Sequence, residues 1–172
     1  PNDVNDQEDL LVARTEEFNG NSNTAVPLTF NHALTAVKFV CGNNMQEGTV
    51  KSVTLKNVYS TGSYNMGLKT WSSLNTPATF SQSLNKIITG SANEALVTDA
   101  QTFMMVPQTL PDGAQLEVVF TDNSSVDHTL TADIKGMVWP IGKTVIYKIS
   151  RSSINWTYEL SVSMPGDFTY SG

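Results

Sequence analysis

The sequence predicts an all-β fold in which one sheet packs on another. Three observations carry this. Small polar residues crowd the composition, with 20 Thr, 17 Ser and 15 Asn among 172 residues. Threonine suits a pleated, half-exposed surface, while Asn and Ser suit turns. Apolar and polar residues alternate with a period of two in Leu116–Thr121, Val126–Ile134, Val145–Ile149 and Trp156–Ser163. No helical period outlasts two turns, and Ala92–Asp99 has room for one helical turn at most.

The elements follow in order. Residues 1–8 are polar and read as loose chain. Leu10–Ala13 is a short strand, and Arg14–Thr24 is a loop rich in Asn and Gly. Val26, Leu28 and Phe30 share one face of an expected strand. His32-Ala33-Leu34 leads into the strand Thr35–Cys41, with Val37, Phe39 and Cys41 on one side. Gly42-Asn43-Asn44 turns the chain into Val50–Tyr59, a long strand in which Val53 and Leu55 share a face. Residues 60–100 hold Gly62, Gly67, Pro77 and Gly90 and are expected to form short strands with a long excursion. Phe103–Leu110 is an apolar run interrupted by Pro107. Thr121–Ser125 is a hairpin turn between two alternating strands. Trp139-Pro140-Ile141-Gly142 turns into the last strand of the domain, Thr144–Ser150. The sum is a sandwich of about seven strands.

Composition excludes several classes. A chain of 172 residues is one domain, or one domain and the beginning of another. It buries enough surface to fold without a metal or a disulfide. The net charge of -6, with Lys and Arg scattered singly, argues against binding nucleic acid. The single cysteine, Cys41, can form no internal disulfide and reads as a buried, inert thiol. No apolar run reaches the length of a membrane span. Both ends of the chain read as cut, so a leader removed by processing is compatible with the sequence.

Catalysis and metal binding find little support. His32 stands at a strand end, where a hydrogen bond to backbone is expected, and His128 shares a face with Val126 and Leu130. Neither has a nucleophile or acid partner announced by a motif, so no enzyme activity and no cofactor are expected. Asp3, Asp6, Glu8, Asp9, Glu16 and Glu17 are acidic, but their spacing matches no calcium loop and reads as a solvated segment. Tyr59, Tyr64 and Trp71 are the candidates for an aromatic platform under sugar rings; the competing reading is that they cover the end of the core.

Trp156, Tyr158, Leu160 and Val162 lie on one side of the final run, with Thr157, Glu159, Ser161 and Ser163 opposite. Four large apolar side chains in register demand a groove, at roughly 1.5–3 kcal/mol each when buried. That groove can belong to a neighbouring molecule, or the run can be the first strand of a second domain. Residues 9–150 then form the sandwich domain, and 151–172 a linker with that strand.

Several runs carry a family likeness. Val26–Phe39 contains Leu28-Thr29-Phe30-Asn31-His32-Ala33-Leu34 and resembles the opening L-x-F-x-H-A-L-x-x-V-x-F of fimbrillin-like (Mfa-like) surface proteins of Bacteroides-type bacteria. Asp9–Ala13, Val50–Gly62, Met104–Leu110 and Trp139–Ile149 resemble further motifs of that family, in the same order over about residues 9–150. Each motif alone is mostly strand pattern; the ordered set is specific. The resemblance implies a transthyretin-like Greek-key β-sandwich, usually two per subunit, in an exported protein that is often a lipoprotein of the outer membrane. It implies a structural role as stalk, anchor or tip of a fimbria, with adhesion as the outcome and other fimbrial subunits as partners. Assembly in the family is by strand donation, after proteolysis removes an N-terminal strand. Arg14, in an exposed loop, is the processing site the resemblance suggests, against an ordinary surface arginine. The strand that members carry upstream of Asp9–Ala13, the lipidated cysteine and a full second domain are not in this sequence. The reading from another class is a surface carbohydrate-binding sandwich, with host or bacterial glycans as ligands.

Overall fold

The computed structural model describes residues 2–15, 20, 25–150 and 160–163. Among these there are twelve strands and no α-helix. In chain order they are β1 (Leu11–Ala13), β2 (Phe30–His32), β3 (Thr35–Cys41), β4 (Gly48–Asn65), β5 (Thr70–Ile88), β6 (Phe103–Met105), β7 (Gln108–Thr109), β8 (Gln115–Asp122), β9 (Asp127–Asp133), β10 (Val138–Trp139), β11 (Thr144–Ile149) and β12 (Leu160–Ser163). Short 3-10 turns cover Val4–Asp6 and Asp99–Gln101.

Two four-stranded sheets make the sandwich, ordered β5-β4-β8-β9 and β12-β11-β3-β6. The pairs β1-β2 and β10-β7 lie outside them. Every pairing is antiparallel except β3 with β11, which run parallel from Ala36↔Thr144 to Cys41↔Ile149. The expected alternation supplies the core. Val37, Phe39 and Cys41 from β3 and Val145, Tyr147 and Ile149 from β11 face Leu116, Val118 and Phe120 from β8. Burial pushes the Cys41 thiol up to about 11, as suits an inert side chain.

Strand β4 shows how a bulge keeps a face buried. Val50, Val53 and Leu55 all reach the core, although the first two stand three positions apart. Period two forbids that in a regular strand. Against β8, Val50↔Phe120 is followed by Ser52↔Val119, so one extra residue resets the parity. A second shift between Leu55 and Val58, beside a left-handed Asn57 (φ 55°), brings Val58 inward as well.

Two expectations are corrected here. Residues 60–100 are not mainly short strands with a long excursion: β4 and β5 form one hairpin of 18 and 19 residues that turns at 66–69. Left-handed Asn57, Ser73 and Thr76 break its alternation, which is why no period was visible. Val26–Phe30 is not a strand, since only Phe30 enters β2. Val26, Leu28 and Phe30 are 44%, 52% and 60% exposed, with no layer over them among the described residues.

The second sheet is locked by aromatic groups. Phe39 meets Phe103 edge to face with ring centres 5.2 Å apart, and stacks on Tyr147 at 5.8 Å. Buried Trp139 donates from Nε1 to the Tyr147 hydroxyl at 3.0 Å. Burial pushes the Tyr147 phenol up from 10.0 to about 12. The folded state therefore holds this proton more tightly than the unfolded state does. Stability complete below pH 10 is lost as pH rises toward 12, by roughly 2–3 kcal/mol. Melting between these pH values is expected to show that loss, and Tyr147→Phe to lack it. Equal alkaline profiles for the two proteins count against it.

Candidate functional site

The flank between the edge strands β5 and β6 is where the two sheets part. Residues 3–7 lie across it. Asp3 forms a single parallel bridge with Ser81 of β5. Its carboxylate accepts from the Asn5 N–H at 2.9 Å and caps the turn Val4–Asp6. Val4 is only 1% exposed and belongs to the main core. On the far side, Gln7 Oε1 accepts from the Met104 N–H of β6 at 2.8 Å. One apolar side chain and one amide thus close the flank.

Two cavities open beside β5. One of about 150 Å³ includes Gln7, Tyr59, Phe80 and Met105 in its walls. Another, of about 460 Å³, lies between Leu84 and Lys86 of β5 and Leu96 to Thr98.

From there the chain runs into β1, which pairs with β2 over three residues, Leu11↔His32 to Ala13↔Phe30. Asp9 and His32 are joined side chain to side chain. Arg14 follows, exposed. Its guanidinium lies so close to Gly67 at the β4–β5 turn that a Cβ there would meet Nη1 at 2.7 Å.

The aromatic candidates divide. Tyr64 and Trp71 sit opposite each other across the hairpin, ring centres 5.4 Å apart. Trp71 Nε1 donates to Ala33 O at 2.6 Å, which ties the hairpin to the chain between β2 and β3. Tyr64 lines a cavity of about 480 Å³ with Phe30, His32, Lys69, Ile141 and Lys143. Tyr59 lines the small cavity beside Gln7 instead, so the three do not form one row. His128 bonds the Asp122 carboxylate at 2.9 Å, and that bond holds Asp122 below the usual carboxylate range. Among the described residues, no group of three or more His, Cys, Asp or Glu is placed to hold a metal ion. No helix there is long and apolar enough to cross a membrane.

Of the final run, Trp156 and Tyr158 lie outside the described residues. Leu160 and Val162 belong to β12, opposite Ile149 and Tyr147 of β11. Sequence reasoning missed the site around Val4 and Gln7. The only signal was a lone valine in an acidic stretch, and one apolar residue has no period.

This architecture defines a class: a two-sheet β-sandwich whose flank is closed by a short N-terminal segment. The chain belongs to the fimbrillin-like family, whose model matches residues 2–163. Three solved structures are similar to this chain. A candidate cell adhesion protein from Bacteroides ovatus ATCC 8483 is 19% identical with a TM-score of 0.52, over 86% of this chain and 49% of that one. Another, from Bacteroides uniformis ATCC 8492, is 17% identical with a TM-score of 0.49, over 84% and 54%. A fimbrial protein from Bacteroides vulgatus ATCC 8482 is 17% identical with a TM-score of 0.43, over 81% and 56%. This chain therefore spans about half the length of each. A search of the curated proteins finds no match.

Proposed function

We propose that this chain is a structural subunit or accessory protein of a cell-surface fimbria, joined to its neighbours by strand donation, with no catalytic role. Most of its sandwich domain falls within residues 9–150, and Val4 and β12 add to it from outside that span. The observation that carries this is the closing segment, residues 3–7, which joins the two edge strands across the flank through the Asp3–Ser81 bridge and the Gln7–Met104 bond. Its hold is slight. Burial of Val4 contributes roughly 1.5–3 kcal/mol, and the Gln7 bond about 1 kcal/mol. A cut after exposed Arg14 would leave the segment without its covalent tether and strip β1 from β2. A neighbour's strand with several apolar side chains in register would outcompete it.

The sheet order supports a fibre. The groove lies beside β6, at one edge of the second sheet, while β12 is at the opposite edge. In this reading the run with Trp156, Tyr158, Leu160 and Val162 is the strand offered to a neighbour. A donor at one edge and an acceptor at the other make a head-to-tail contact, which repeats without closing.

Limited trypsin digestion, read by intact mass and molecular size, tests the idea. Cleavage after Arg14 is expected to release residues 1–14 and convert monomers to a ladder of multimers, and Arg14→Gln to prevent both. Release of the peptide with no change in size would rule out donation into this groove.

A further inference from the structure

The cavity of about 480 Å³ near the β4–β5 turn shares no wall residue with the two beside β5. Three segments build it: Phe30 to His32 of β2, Tyr64 and Lys69 of the hairpin, and Ile141 to Lys143. The second and third are both fastened to the short stretch that follows β2. Trp71 ties the hairpin to Ala33 O. The Gly142 N–H donates to Leu34 O at 2.9 Å, and Thr35 Oγ1 donates to Pro140 O at 2.7 Å. Gly142 is left-handed, at φ 67°, and a Cβ there would stand 3.1 Å from His32 O. The walls are thus fixed before anything enters, and the volume falls within the roughly 300–1,000 Å³ of small-ligand sites.

The chain carries a net charge of -6, yet the walls hold Lys69 and Lys143 and no Asp or Glu. Arg14 lies against Gly67 and adds a cation close by. Asp9, which is not a wall residue, is engaged with His32. Phe30 is 60% exposed, an aromatic face left uncovered among the described residues. It is Phe30, and not Tyr59 or Trp71, that shares this cavity with Tyr64. An aromatic face, the Asn31 amide and two ammonium groups suit a ring with an apolar face, hydroxyls and a carboxylate. We infer that this cavity binds an acidic sugar, a uronic or sialic acid residue of a glycan, with its ring on Phe30 and its carboxylate toward Lys69 and Lys143. An extended peptide would instead take a sheet edge or a long groove. This site stands on the cavity alone and needs no strand donation.

The intact protein is applied to an array of glycans bearing uronic or sialic acids, each beside its neutral counterpart. Acidic glycans are expected to be retained and neutral ones not. The best-retained acidic glycan is then titrated into Phe30→Ala and Lys69→Glu proteins. Both residues are exposed, so both variants are expected to melt at the native temperature. Each is expected to bind about tenfold or more weakly. Added salt is expected to weaken binding by the native protein and to have little effect on Lys69→Glu. Retention of no acidic glycan, equal retention of the neutral counterparts, or unchanged affinity in either variant overturns the site. Displacement of the glycan by an oligoglutamate at equal concentration overturns the sugar and points to an acidic peptide.

Discussion

Val4→Asp is expected to expel residues 2–8 from the groove while the sandwich stays folded. An unpaired carboxylate at a core position costs several kcal/mol. Docking of the segment returns less, since it rests on one valine, the Asp3–Ser81 bridge and the Gln7 side chain. The cheapest response is for the segment to leave. Hydrogen exchange gives a local readout, because the Met104 N–H loses its acceptor when Gln7 departs. Its exchange should quicken by on the order of 100-fold, the factor that about 3 kcal/mol of docking corresponds to. The β8 and β11 amides should keep their protection. With the groove open, multimers should form without trypsin, whereas Val4→Ile stays monomeric. A Val4→Asp protein with unchanged Met104 exchange and monomeric size would show that the segment is not what closes the flank.

Trp139→Ala is expected to give the largest loss of stability. Deleting a buried tryptophan costs about 3–5 kcal/mol through lost burial and the cavity left behind. For a chain of this size, that lowers the melting temperature by roughly 6–20 °C. Part of the loss is polar, because Tyr147 keeps only a long contact to Met137 Sδ, at 3.7 Å, once the indole N–H is gone. Trp139→Phe keeps much of the volume but not the donor, so it should fall between the two. Calorimetry on the three proteins separates the packing loss from the hydrogen-bond loss. A shift under about 3 °C for Trp139→Ala would mean that the second sheet does not depend on this residue.

The main layers could be read from alternation because each of their strands has one wet face and one dry face. β3, β8, β9 and β11 have that pattern, and Cys41 falls where its neighbours Val37 and Phe39 place it. The long hairpin was hidden for a physical reason. Each left-handed residue in it shifts the parity, so a strand of 19 residues reads as fragments. Val26–Phe30 misled in the other direction, since alternation shows a face that could be covered and says nothing of a cover. The closing segment left no trace in the sequence. Its hold is a valine, a backbone bridge and an amide, and none of these repeats.

The single parallel ladder has a kinetic consequence. The first sheet is built from neighbours: β4 turns into β5, and β8 into β9, so its contacts can form soon after those segments exist. In the second sheet, β3 must wait for β11, more than 100 residues further along the chain. Contacts so distant in sequence are slow to form, because a large loop loses its freedom before anything is gained. A chain emerging from its N-terminus therefore carries β3, with apolar Val37 and Phe39, paired on one edge by β6 and open on the other until residue 149 is made. The nascent protein spends that interval half assembled, with sticky backbone on show, and any factor that escorts it has its target in that strand.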